Sequence, residues 1–198
     1  MIRRTQAERT DETTTALVRA ARALFGAAGY AATSIDAVAA AAGVTKGAAY
    51  HHFGGKAPLL RAAFEAELGE VSAQLLGIAA SGADQGSALR LGARTFLQHC
   101  LDPGFARIVM VDAPAVLGWE VVRAAEHRHL LSVIEAGFVL ATGDEQVAAT
   151  RARLVFGALC EAGMMLARSA DPAADLPRLT AETDRLVEAL KAAPGDRD

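Results

Sequence analysis

The sequence predicts an all-α fold: an N-terminal three-helix helix-turn-helix domain followed by a larger helical domain. Three observations carry this. The 198-residue chain is 52% hydrophobic but only 5% aromatic and holds six prolines, the balance of an Ala- and Leu-rich helical protein. Apolar residues recur at i, i+3, i+4 and i+7 through almost every stretch, and no strand-like alternation interrupts them. Glycines and short polar clusters then mark the ends of about nine helical stretches.

The first helix is predicted to start near Thr10 as N-cap, with Asp11 and Glu12 suiting the positive end of the helix dipole. Leu17, Ala21, Leu24, Phe25 and Ala28 recur at helical spacing, and Gly29 stops the helix. Thr33 opens a second helix, Asp36 takes the capping-box position, and Ile35, Val38, Ala39 and Ala42 form one buried face. Gly43 ends it. Val44 turns inward and Thr45 caps a third helix reaching about His52, which Gly54-Gly55 breaks. Further helices are expected over 57–80, 88–101, 105–116, from after Gly118 to 141, 145–169 and 178–192. The stretch 81–87 is a linker, Asp102-Pro103-Gly104 and Thr142-Gly143-Asp144 are turns, and the termini are frayed ends.

Several function classes fall away on composition. No run of about 18 apolar residues is free of charge, so no transmembrane span is expected. The polar N-terminus lacks the apolar core of a secretory signal. Cys100 and Cys160 lie far apart without metal-ligand spacing, so neither a disulfide framework nor a zinc site is expected, and a reduced, cytoplasmic setting is the default. No Glu-x-x-His pair, phosphate-cradling glycine loop or nucleophile with a base at fixed spacing supports the rival of a helical-bundle enzyme, so neither catalytic residues nor a cofactor is assigned. His127 and His129 do not share a helix face, which argues against a metal site. The net charge of −3 is divided unevenly. Residues 1–60 carry seven Lys/Arg against four acids, and the remainder carries 13 against 19. A basic excess at one end fits a nucleic-acid face there.

Two short helices joined by a turn containing Gly43 form a helix-turn-helix pattern, in which the second helix enters the major groove. Thr33-Ser34-Ile35-Asp36-Ala37-Val38-Ala39, Ala42-Gly43-Val44-Thr45-Lys46-Gly47, Tyr50-His51-His52-Phe53, Lys56 and Leu59-Leu60 keep an order and spacing that closely resembles the DNA-binding signature of the TetR family. The resemblance covers about residues 10–62. It departs at Ala48 and Ala49, where the family usually has a hydroxyl residue and a leucine, and at His52, where an aromatic residue is frequent.

The resemblance and the local chemistry together suggest the DNA contacts. Thr45 and Lys46 lie at the N-terminus of the third helix, where dipole and N–H groups favour phosphate. Gly47 lets that helix approach the DNA backbone. Tyr50, His51 and His52 follow one turn later, and Ala48 and Thr45 are placed to touch a thymine methyl while Lys46 donates to guanine. Lys56 is expected to neutralise a flanking phosphate, and Thr33 or Ser34 to clamp another. Arg3, Arg4 and Arg9 form a basic arm over 1–9. The domain boundary is placed after residue 56, with 57–198 as the ligand-binding and dimerisation domain.

The resemblance implies a homodimer on a palindromic operator, released by an unidentified small-molecule effector, with no membrane partner. Leu154, Ala158 and Ala162 on the eighth helix and Leu179, Leu186 and Leu190 on the ninth are the candidates for the dimer face. Phe96, His99, Cys100, Met110, Trp119, His127 and Met164 are the candidates for a mostly apolar ligand pocket, with Asp112, Glu120 and Arg168 as polar groups that could orient a ligand. An activator and a thiol-based redox sensor, each still binding DNA, are the alternatives.

Overall fold

The computed structural model describes residues 6–191, with side chains from Thr10 onward except that of Gln85. The described residues form nine helices and no strand. These are α1 (Gln6–Ala32), α2 (Ile35–Ala41), α3 (Lys46–Phe53), α4 (Lys56–Ala80), α5 (Gln85–His99), α6 (103–117), α7 (119–142), α8 (Glu145–Arg168) and α9 (Pro172–Lys191). Helix α6 widens into a π-helical stretch over Ala106–Asp112, and α7 does so over His127–Leu131. The chain divides into two compact units. Of the described residues, the first comprises those up to Glu67 together with Pro103–Trp119, and the second Leu68–Asp102 with those from Glu120 to Lys191.

The first unit is built on α1. Leu17, Ala21 and Phe25 are fully buried at helical spacing, as are Val38 of α2, Ala49 of α3 and Leu59, Leu60 and Phe64 of α4. Arg22 of α1 grips Glu67 of α4 with two parallel bonds, Nε to Oε1 at 2.8 Å and Nη2 to Oε2 at 3.0 Å. Glu67 is buried, so removing Arg22 would strand its carboxylate out of water. Helix α6 packs along α1 so closely that a Cβ on Gly26 would meet the Gly104 backbone at 2.9 Å.

Four local expectations are corrected. Helix α1 starts at Gln6, so Thr10 is an interior residue whose carbonyl accepts from the Thr14 hydroxyl. Gly29 (φ 82°) does break α1, but helical turns resume as far as Ala32. The N-cap of α2 is Ser34, whose Oγ accepts from Ala37 N–H, and not Thr33. Thr33 is buried and donates back to the carbonyls of Gly29 and Leu24, tying down the break in α1. Asp36 makes no capping box; its carboxylate holds Lys46 at 2.9 Å. The basic arm over 1–9 lies outside the described residues, apart from the helical backbone of 6–9.

In the second unit α5, α7, α8 and α9 pack as a ring: α7 lies against α5 and α8, and α9 lies against the same two helices. Phe96 and Phe156 meet edge-on at 6.4 Å near its centre, and Phe138, Leu97 and Leu166 are fully buried. Ion pairs Arg94–Asp184 and Arg90–Glu188 fasten α5 to α9. Here too the expected ends shift. Asp84 caps α5 by accepting from Ser87 N–H, so the linker shrinks to 81–84. Helix α9 starts at Pro172, not near 178, because Pro172 suits a first-turn position and Asp171 accepts from Ala174 N–H. Pro177 therefore lies inside the helix, costing one bond of the ladder early in its run.

Candidate DNA-binding face and ligand cavity

The two short helices meet through the turn at Gly43, whose φ of 69° favours glycine although no atom crowds its Cβ position. Thr45 caps α3 by accepting from Ala48 N–H, and Gly54 closes it in the left-handed region. Eight residues between these caps turn one side inward, with Ala49 fully buried and Phe53 half-buried. The opposite side presents Lys46, Gly47, Tyr50 and His51 to solvent, with Thr45 beside them. Lys46 is held protonated by the Asp36 carboxylate, through their hydrogen bond and then its charge, and its ammonium lies 5.9 Å from the Tyr50 ring centre. Three positively disposed or aromatic side chains and an N-terminal helix turn thus share one exposed face.

The remaining predicted DNA contacts sit differently. Ser34 is exposed but uses its Oγ as a cap. Ala48 is half-buried. His52 turns toward α1, its Nδ1 3.1 Å from Thr14 Oγ1. Lys56 is a structural clamp: its ammonium donates to the carbonyls of Tyr30 at 2.9 Å and Thr33 at 3.0 Å and lies 4.2 Å from the Tyr30 ring centre. Sequence reasoning had no means of seeing this, because the carbonyls it satisfies lie more than twenty residues away at the broken end of α1. The same end is held from α6, where Arg107 donates to Ala27 O and Asp112 accepts from Tyr30 N–H at 2.7 Å.

The second unit contains an apolar cavity of about 330 Å³. It lies among the end of α4 and helices α5, α7, α8 and α9. Ala88, Gly92 and Ala93 of α5 and Ala136 and Gly137 of α7 line it, and their small side chains leave the space open. Two of these residues are glycines at close approaches: a Cβ on Gly137 would meet Leu89 at 2.8 Å, and one on Gly92 would meet Leu75 at 3.2 Å. Of the seven residues predicted for the pocket, Phe96 lines this cavity. The other six do not. Cys100 is buried beyond its lining, and burial pushes its thiol up to about 12, as it does for Cys160. His99 pairs with Gln74 Oε1 at 3.2 Å, His127 faces Glu135 at 3.9 Å, and Met164 is half-buried. Met110 and Trp119 belong to the first unit, where Met110 is buried and Trp119 is 68% exposed. Asp112 also belongs to the first unit, and Glu120 and Arg168 are exposed. Apart from Phe96 the lining was missed because it is mostly alanine, glycine, leucine, isoleucine and valine, which in a sequence cannot be told from ordinary core.

Among the predicted dimer residues, Leu154 is 58% exposed, Ala158, Leu186 and Leu190 are half-buried, and Ala162 and Leu179 are already buried within the chain. Gly157, Glu161 and Met165 share the exposed face of α8 with Leu154, at helical spacing. Among the described residues no group of three or more His, Cys, Asp or Glu could hold a metal ion, and no helix is long and apolar enough to cross a membrane.

A compact helix-turn-helix with a polar recognition face, carried on a larger helical unit with its own cavity, defines a DNA-binding regulator. Comparison with known proteins agrees. Residues 17–63 match the family described as bacterial regulatory proteins, tetR family, and residues 87–190 match the tetracyclin repressor-like C-terminal domain. The chain belongs to the TetR family of transcriptional regulators. It is 30% identical to the transposon Tn10 TetC protein of Escherichia coli over 131 residues, a stretch that spans 66% of each chain. It is 51% identical to the HTH-type transcriptional regulator CymR of Pseudomonas putida over 63 residues, 32% of this chain and 31% of CymR. A crystal structure of a TetR-family regulator from Pectobacterium atrosepticum superposes with a TM-score of 0.78 at 33% identity, covering 94% of this chain and 97% of that one. CymR and the Pectobacterium protein are both described as transcriptional regulators.

Proposed function

We propose that the chain is a cytoplasmic repressor that binds a palindromic operator as a homodimer and is released from it by a small molecule held in the second unit. The observation that carries the DNA-binding part is the exposed face of α3, and Gly47 in particular. Nothing lies closer than 4.0 Å to a Cβ built on Gly47, so the protein's own packing does not require a glycine there. The missing side chain leaves that side of α3 open to close approach by a DNA backbone. Lys46, Tyr50, His51 and the capped first turn at Thr45 supply the contacts, with Ser34 at the start of α2 as a further phosphate clamp. The dimer reading is supported by the exposed face of α8 that carries Leu154, Gly157 and Met165. Release by a ligand requires only that the ligand prefer the state that cannot bind DNA. A redox sensor is disfavoured, because thiols pushed up to about 12 are protonated and poor nucleophiles.

The test is selection of duplexes from random DNA with the full chain, followed by affinity measurements across a salt series. The expected outcome is a two-fold symmetric site with half-sites about one turn, roughly 34 Å, apart. Lys46→Ala and Tyr50→Ala should each weaken binding by about tenfold, the cost of one good contact. Gly47→Ala should weaken it as much while leaving thermal stability unchanged or higher, since Ala is the better helix former by about 1 kcal/mol. No enriched sequence, or equal binding by all three variants, overturns the proposal.

A further inference from the structure

The cavity of the second unit has a chemistry that selects its occupant. Its walls come from five helices, and every lining residue except Ser132 is Ala, Gly, Leu, Ile, Val or Phe. No carboxylate, ammonium, guanidinium or imidazole is among them. A charged ligand placed there would lose its hydration with no partner to replace it, whereas an apolar one gains by leaving water. The single polar side chain is informative too. Ser132 Oγ donates its proton to Arg128 O at 3.2 Å, so what it offers the cavity is a lone pair. With its proton so placed it accepts a hydrogen bond from a ligand in preference to giving one.

Size and access are consistent with a small molecule. About 330 Å³ lies at the lower end of the range of roughly 300–1,000 Å³ that such sites occupy. Leu76 and Leu140, both in the lining, are 55% and 68% exposed, so the cavity has an open, greasy mouth. A ligand would take these side chains out of water, which is a driving force that an empty, fully closed core defect would not have.

We infer that the cavity binds an uncharged, largely apolar molecule of one or two rings, or a chain of similar bulk, carrying at most one hydrogen-bond donor directed at Ser132. This rests on the reading that the second unit holds the effector, and it adds the class of molecule. Carboxylates, phosphate esters and amines are excluded by the walls.

Matched probes on one carbon skeleton test it: 2-naphthol, 2-naphthoate and 2-naphthylmethylammonium at pH 7, titrated calorimetrically into the full chain without DNA. The expected result is binding of 2-naphthol at least tenfold tighter than either ion. Ser132→Ala should weaken 2-naphthol by several-fold and leave unsubstituted naphthalene unaffected. Val133→Lys introduces a cation at the lining, and should reverse the preference in favour of 2-naphthoate; this reversal is a gain of binding and cannot come from misfolding. Preference of the wild type for either ion, absence of 2-naphthol binding, or no change of preference in Val133→Lys overturns the inference. Release of DNA is measured separately. Tight binding of 2-naphthol that leaves the operator complex intact supports the ligand class while counting against release by ligand.

Discussion

Lys56 illustrates how one side chain can serve the fold at a position where sequence reasoning assigns it to a DNA phosphate. Its ammonium joins two carbonyls at the broken end of α1 and stacks over Tyr30. Lys56→Met keeps the bulk and removes the charge, depriving the Thr33 carbonyl of its donor and leaving the Tyr30 carbonyl with only the Thr33 N–H at 3.3 Å. A loss of about 2 kcal/mol is expected, in the range for hydrogen bonds to charged groups, read as a lower midpoint in urea unfolding. An unchanged midpoint would return Lys56 to the DNA face alone. Glu126 offers a pH-dependent counterpart. Burial raises its pKa, and Arg123 at 3.1 Å lowers it only in part. A carboxyl whose folded value lies above its unfolded value favours folding at low pH. That contribution is lost as pH rises from the unfolded value through the folded one. Glu126→Gln should therefore raise the melting temperature at pH 8 and change it little at pH 4. A variant less stable at pH 8 would show that the Arg123 pair outweighs the burial.

At the scale of elements, helix caps explain where periodicity alone misplaces boundaries. Three ends moved because a side chain satisfies first-turn N–H groups: Ser34 in place of Thr33, and Asp84 and Asp171 ahead of the starts expected at 88 and 178. The contact of α1 with α6 sets a second kind of limit. Gly26→Ala gains up to about 1 kcal/mol of helix propensity. It also drives a methyl to 2.9 Å from the Gly104 backbone, which cannot rotate away. The clash should win, with a net loss of about 1–3 kcal/mol in chemical unfolding. Gly69→Ala in α4, where nothing lies within 4 Å, is the control and should be neutral or stabilising. Equal effects of the two substitutions would remove the close approach as the reason for Gly26.

At the scale of the whole molecule, the proposed dimer is tested at the exposed strip of α8. Leu154 and Met165 are 58% and 42% exposed on one helix face, with Gly157 and Ala158 between them to allow close approach. The double substitution Leu154→Glu, Met165→Glu should leave the helical content intact and yield a monomer by sedimentation, with operator affinity reduced by two orders of magnitude or more as two half-sites become independent. A dimer that survives both charges would place the interface elsewhere.

The all-helical class, the helix-turn-helix and its face Thr45, Lys46, Gly47, Tyr50 and His51 were determined by the sequence alone. They depend on local spacing: 3.6-residue periodicity, caps and glycine turns act within a few positions of one another. Three further features were decided only by the tertiary structure. Lys56 and Thr33 became clamps because their partners lie far along the chain or across a helix break. Residues 103–119 joined the first compact unit through packing on α1 that no local pattern encodes. The cavity arose because small residues of α5 and α7 come together with the end of α4 in a ring of helices. Whether an alanine or glycine fills a core or opens a space depends on what stands opposite it, and that is a property of the packed chain, not of the residue.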